Sequence, residues 1–111
     1  TMRRDVSGSR HTDDEVRHTI RRVYEQCGYL LDPHSAIAYL GLKGYAAREG
    51  REGRVGIFLA TAHPAKFREV VEPVIGRTVE TPGPLAEALA RPRPILRIPA
   101  TFEALMEALD A

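Results

Sequence analysis

Two short clusters hold the side chains able to do chemistry. Asp32, His34 and Ser35 lie within four residues of one another, around Pro33. Thr61, His63 and Lys66 form the second cluster, around Pro64. Each combines a hydroxyl, an imidazole and a charged group, and each has a proline that suits the first turn of a helix. Helix starts present free backbone N–H groups and the positive end of the helix dipole, so both places favour anionic groups. The same residues can instead serve structure. Thr61, Asp32 and His63 can cap helices, and Lys66 can extend into solvent.

The second cluster follows the apolar run Val55-Gly-Ile-Phe-Leu-Ala60. A continuous run of this length suits a strand buried on both faces, as in a parallel sheet covered by helices. Thr61 and His63 would then sit just past the carboxyl end of a buried strand. Open α/β sheets bind ligands in that crevice.

The elements around these clusters can be read from caps and periodicity. Thr12-Asp-Asp-Glu15 is a capping box, and Val16, Ile20, Val23, Tyr24 and Cys27 repeat at helical spacing up to Gly28. Pro33 opens a second helix to about Arg48. It contains Gly41 and Gly44, which suggest close approach of another backbone, or else a break. Arg48 to Arg54 is a charged, Gly-punctuated connector. A helix from Pro64 places Phe67, Val70, Val71 and Val74 on one face, with Gly76 as its stop. A short helix follows from Pro84 to Leu89. Arg91-Pro-Arg-Pro94 is a stiff linker, and Ile95–Ile98 reads as a short edge strand. Thr101 caps a last helix with Phe102, Leu105, Met106 and Leu109 on its inner face.

The expected fold class is therefore α/β, helix-rich, with one buried strand and one short edge strand. Two strands are too few for an open sheet, so the pattern is that of a piece of a larger domain. The first residues, 1–11, read as a flexible leader, and 12–111 as the domain portion.

Bulk properties narrow the function classes. The chain has 111 residues and a formal net charge of +1, which points to neither nucleic acid nor a membrane surface. It carries no signal-peptide pattern and no run long enough to span a bilayer. One cysteine, Cys27, rules out an internal disulfide framework. Cytoplasmic location is the expectation. Cys27 falls on the apolar side of the first helix, as a small hydrophobe. His11, His18, His34 and Cys27 lack the ligand spacing of structural zinc, so no metal site is expected.

Two segments carry a family resemblance. Gly28-Tyr-Leu-Leu-Asp-Pro-His-Ser-Ala36 and Thr61-Ala-His-Pro-Ala-Lys-Phe67 resemble motifs near the C-terminus of threonine synthases. They occur in that family's order and at about its spacing, and the likeness runs from about Thr12 to the end. The resemblance implies a pyridoxal-phosphate enzyme of fold type II, acting on O-phospho-L-homoserine. It implies that Thr61 meets the pyridine nitrogen of the cofactor. It also implies that Asp32, His34, Ser35, His63 and Lys66 line the active site. The family's cofactor lysine and its Gly/Asn-rich phosphate loop lie upstream in a chain several times longer. Neither pattern surrounds Lys43 or Lys66, the two lysines here. The expectation is thus a C-terminal piece, inactive alone, whose partner is the remainder of the synthase chain. Two other readings remain: a cofactor-free α/β binding or interaction module, and part of another fold-type II enzyme such as a dehydratase.

Overall fold

A computed structural model describes residues 6–51, 53–92 and 95–110. The described chain is helical, in the order α1 (Asp13–Cys27), α2 (Pro33–Arg48), a 3-10 turn (Pro64–Phe67), α3 (Arg68–Ile75), α4 (Gly83–Ala90) and α5 (Phe102–Asp110). It divides into two compact units, one ending at Thr81 and the other beginning at Pro82.

The first unit is built on α1. Its start is a complete capping box: the Glu15 N–H donates to the Thr12 hydroxyl, and the Thr12 N–H donates to the Glu15 carboxylate at 2.7 Å. These bonds, led by the backbone one, hold the exposed Glu15 carboxyl below its ordinary value. Val16, Thr19, Ile20 and Val23 then bury one face. Gly28 ends the helix at φ 66°, a left-handed conformation that costs a residue with a Cβ about 1–2 kcal/mol. α1 packs against both α2 and α3. Leu31, Ala36 and Val74 join its buried face to form the core, with Leu30, Tyr39, Phe58 and Ile75 around the edge.

Polar contacts fix α3 in place. The Arg21 guanidinium donates from Nε to the Val74 carbonyl at 3.0 Å, satisfying an acceptor in the last turn of α3. Arg68 and Glu72, one turn apart, clamp the segment after α3. Arg68 donates to the Val79 carbonyl at 2.7 Å and to the Thr81 hydroxyl, while Glu72 accepts from the Val79 N–H at 2.9 Å.

The expected α/β class is wrong for this chain, because the described residues contain no strand. Val55–Ala60 is neither helix nor strand and lies open: Val55 is 95% exposed, Ile57 85% and Leu59 76%. Phe58, within the same run, is half-buried and meets the Tyr39 ring edge-on at 5.9 Å. Gly56 passes close to α2: a Cβ there would meet the end of the Leu42 side chain at 2.7 Å. The expected edge strand Ile95–Ile98 is likewise non-helical, unpaired chain. The physical reason is common to both. A helix satisfies its hydrogen bonds internally, whereas a strand requires a neighbour. Apolarity marks a run for burial but does not supply that neighbour.

Other expectations shift as well. α2 is unbroken; of its two glycines, Gly41 lies close to a neighbour, a Cβ there coming 2.9 Å from the Ser9 hydroxyl rather than from another backbone, whereas Gly44 has open space beside it. Cys27 is exposed instead of sitting on the apolar face. The helix from Pro64 begins as a 3-10 turn. In the second unit, Thr101 does cap α5 through the Ala104 N–H. However, neither α4 nor α5 buries a residue, and Phe102, Leu105, Met106 and Leu109 are exposed rather than inward. The proposed leader lies partly outside the described residues, which begin at Val6. The same holds for the charged connector at Glu52 and the proline linker at Arg93 and Pro94.

Two glycine substitutions test these local assignments in opposite directions. Gly28→Ala should lower stability in urea by about 1–2 kcal/mol, the left-handed penalty. Gly44→Ala, in a helix with open space beside it, should raise stability by about 0.5–1 kcal/mol. The same sign for both would contradict the helix assignments.

Candidate functional site

Asp32 organises the first cluster. It is the N-cap of α2, with extended backbone (φ −77°, ψ 165°) and a carboxylate that accepts from the His34 N–H at 2.9 Å. The same oxygen lies 3.2 Å from His34 Nδ1, and the Ser35 hydroxyl donates to the other oxygen. Pro33 occupies the first helical position, where a missing N–H costs nothing. Asp32 and Ser35 are each 1% exposed, while the His34 ring stands largely in the open. Burial pushes the Asp32 carboxyl up, but the Ser35 and His34 hydrogen bonds outweigh it and hold the group below its ordinary value.

The second cluster starts the 3-10 turn. His63 is its N-cap, and Nδ1 accepts from the Ala65 N–H at 3.1 Å. That bond makes Nδ1 an unprotonated acceptor. Ala65 is buried, whereas Thr61, His63 and Lys66 are exposed. Thr61 follows the open run Val55–Ala60 and so ends no buried strand. The capping role open to it belongs to His63.

The two clusters meet through aromatic contact. The His34 ring packs on the Phe67 ring, with centroids 5.0 Å apart and planes tilted by 57°. Phe67 closes the Thr61–Phe67 motif, so a residue of one motif touches a residue of the other. Sequence reading placed Phe67 on an apolar helix face and at the end of the second motif, without a contact to the first. It also overlooked the Arg68–Glu72 clamp directly behind the turn, although an Arg and a Glu four residues apart on a helix signal a pair.

Lys43 lies over the Tyr39 ring at 5.6 Å, and Lys66 is exposed. Among the described residues, no group of three or more His, Cys, Asp or Glu gathers as a metal site. Nor is any helix there long and apolar enough to cross a membrane.

The capping carboxylate gives a pH signature. A depressed folded-state pKa contributes stability that is fully present above the unfolded value, near 3.8 for Asp. That contribution is lost as pH falls through the folded value. Asp32→Asn keeps a good cap but removes the titration. It should flatten the fall in stability below about pH 4. Asp32→Ala should cost about 0.5–2 kcal/mol at neutral pH. An unchanged acid limb in Asp32→Asn would show that the hydrogen bonds do not hold the carboxylate.

Comparison with known proteins identifies a family. Residues 35–109 match the family model described as threonine synthase, C-terminal. The threonine synthase of Escherichia coli K12 is 41% identical over 93 residues, covering 84% of this chain and 21% of that protein. The enzyme of Serratia marcescens is 42% identical over 100 residues, covering 88% and 22%. The crystal structure of threonine synthase from Escherichia coli superposes with a TM-score of 0.75 at 35% identity, covering 98% of this chain and 26% of that one. The chain thus spans about a fifth of the length of the curated relatives it matches. By the match over residues 35–109 and these relatives, the chain belongs to the threonine synthase family, in its C-terminal portion.

Proposed function

We propose that this chain forms part of a pyridoxal-phosphate-dependent threonine synthase that converts O-phospho-L-homoserine and water to L-threonine and phosphate. The observation that carries this reading is the joining of the two motifs, Asp32–Ser35 and Thr61–Phe67, by the His34–Phe67 contact within the family match.

The donor set suits one part of a cofactor site. Thr61 offers an exposed, neutral hydroxyl, which fits a hydrogen bond to the ring nitrogen without forcing full protonation there. When bound, pyridoxal phosphate supplies an electron sink for elimination and replacement chemistry. Asp32 and Ser35 hold the start of α2, and His34 lies against the turn that Thr61 precedes. His63 fixes that turn by capping Ala65, and Lys66 adds a positive charge suited to a phosphate or carboxylate. The exposed Val55, Ile57 and Leu59 side chains are covered by the remainder of the synthase, the partner of this portion. A reducing compartment such as the cytoplasm suits its exposed free thiol, Cys27.

A chimera tests the reading: residues 12–110 replace the matching portion of the Escherichia coli enzyme. It should release phosphate from O-phosphohomoserine. Thr61→Ala in that chimera should weaken cofactor binding roughly 2- to 10-fold, the worth of one neutral hydrogen bond of about 0.5–1.5 kcal/mol. Thr61→Asp should do worse. Unchanged affinity and turnover in both variants would remove Thr61 from the site. The isolated chain with added pyridoxal phosphate should give no phosphate above a no-protein control. Turnover by the isolated chain that disappears on replacing Lys43 and Lys66 by Ala would overturn the part-enzyme reading.

A further inference from the structure

We infer that α5 of one copy docks into the apolar, basic-rimmed groove beside α2 of a second copy, so that the chain by itself forms a reciprocal dimer. The inference goes beyond the synthase reading and does not rest on it.

The groove lies between α2 and the run that follows the charged connector, and has a volume of about 540 Å³. Its floor is apolar. Tyr39, Leu42, Tyr45 and Phe58 line it and are half-buried, so part of each side chain stays open. Its rim is basic. Lys43, Arg51 and Arg54 line it and are exposed, and the described residues around it include no carboxylate. The floor itself places two of these cations. Lys43 Nζ lies 5.6 Å from the centre of the Tyr39 ring, and the Arg51 guanidinium lies 5.9 Å from that of Tyr45. A fitting occupant brings apolar side chains with carboxylates beside them.

α5 has that pattern. Its sequence, Phe-Glu-Ala-Leu-Met-Glu-Ala-Leu-Asp, carries Glu103, Glu107 and Asp110 and no basic group. At helical spacing Phe102, Leu105, Met106 and Leu109 form one stripe, and the three carboxylates fall together along one side of it. The stripe is exposed, with Phe102 and Leu109 each at 71%. Covering it would remove apolar surface from water, which is favourable. The groove belongs to the first unit and α5 to the second, so every copy offers one of each. Reciprocal exchange fills both grooves and closes as a two-fold dimer. The binding mode is that of an amphipathic helix in a groove. Apolar contact holds the helix, and the rim charges set its orientation. Val55 lines the same groove, so a second copy and the remainder of a synthase compete for it.

Sedimentation of the chain over a range of concentrations tests the inference. The wild-type chain should pass from monomer to dimer as concentration rises, and less readily in high salt. One variant, Arg51→Glu with Arg54→Glu, reverses the rim. Another, Glu103→Lys with Glu107→Lys, reverses the helix. All four positions are exposed, so both variants should keep the wild-type helix content by circular dichroism. Each alone should raise the dimer Kd roughly tenfold or more. Mixed in equal amounts, the two should pair with each other. The acidic groove of one then meets the basic helix of the other, and the second contact keeps the wild-type charges. Recovery on mixing separates pairing of copies from folding of α5 onto its own groove. A chain that stays monomeric at every concentration overturns the inference. So does a dimer that both reversals leave intact, or a mixture that fails to recover pairing.

Discussion

The Asp32 carboxylate is the contact on which the site depends. It is buried, it starts α2, and it accepts from the His34 N–H and the Ser35 hydroxyl, with the His34 imidazole 3.2 Å from the oxygen that takes the backbone bond. A buried carboxylate without such donors would be costly. With them it becomes a rigid corner. From that corner Ser35 turns inward, and the His34 ring turns outward to meet Phe67. One side chain thereby fixes a helix start, an imidazole orientation and the link between two motifs far apart in sequence.

The helical core supports this corner from below. Ile20 and Val23 of α1 join Leu31, directly before Asp32, and Ala36 at the start of α2 in one buried cluster. Val74 of α3 joins the same cluster, and Arg21 ties the end of that helix to α1. Behind the 3-10 turn, Arg68 and Glu72 secure the chain at Val79 and Thr81. The turn carrying Phe67 is thus braced by the α3 packing, and the helix carrying His34 by the α1 packing. The contact between the two rings is the meeting of two independently fixed elements.

Much of this was legible in residue types. The Thr12 box, the stops at Gly28 and Gly76, and the prolines opening at 33 and 64 are local devices, and each occurs where its chemistry predicts. The lack of strands among the described residues was not legible, because Val55–Ala60 has strand composition but no neighbour there. Composition reports the environment a segment suits, and pairing is a property of what lies beside it. The Asp32 cap was anticipated as one of two roles. The His34–Phe67 contact was not, since it joins positions 33 residues apart and leaves no periodic trace. Thr61, the residue most strongly implied by resemblance, lies exposed next to the paired rings' turn, while His63 performs the capping that Thr61 could have done.

The central claim is that Asp32 brings the two motifs together by presenting His34 to Phe67. Its most direct measurement is the nuclear Overhauser effect between the ring protons of His34 and Phe67 in the labelled chain. The account predicts strong cross-peaks in the wild type, as rings 5.0 Å apart require. They should weaken or vanish in Asp32→Ala while the α1 cross-peaks between Ile20 and Val23 and their core neighbours persist. Absence of the His34–Phe67 cross-peaks in a folded wild-type chain, or their survival at full strength in Asp32→Ala, would contradict it.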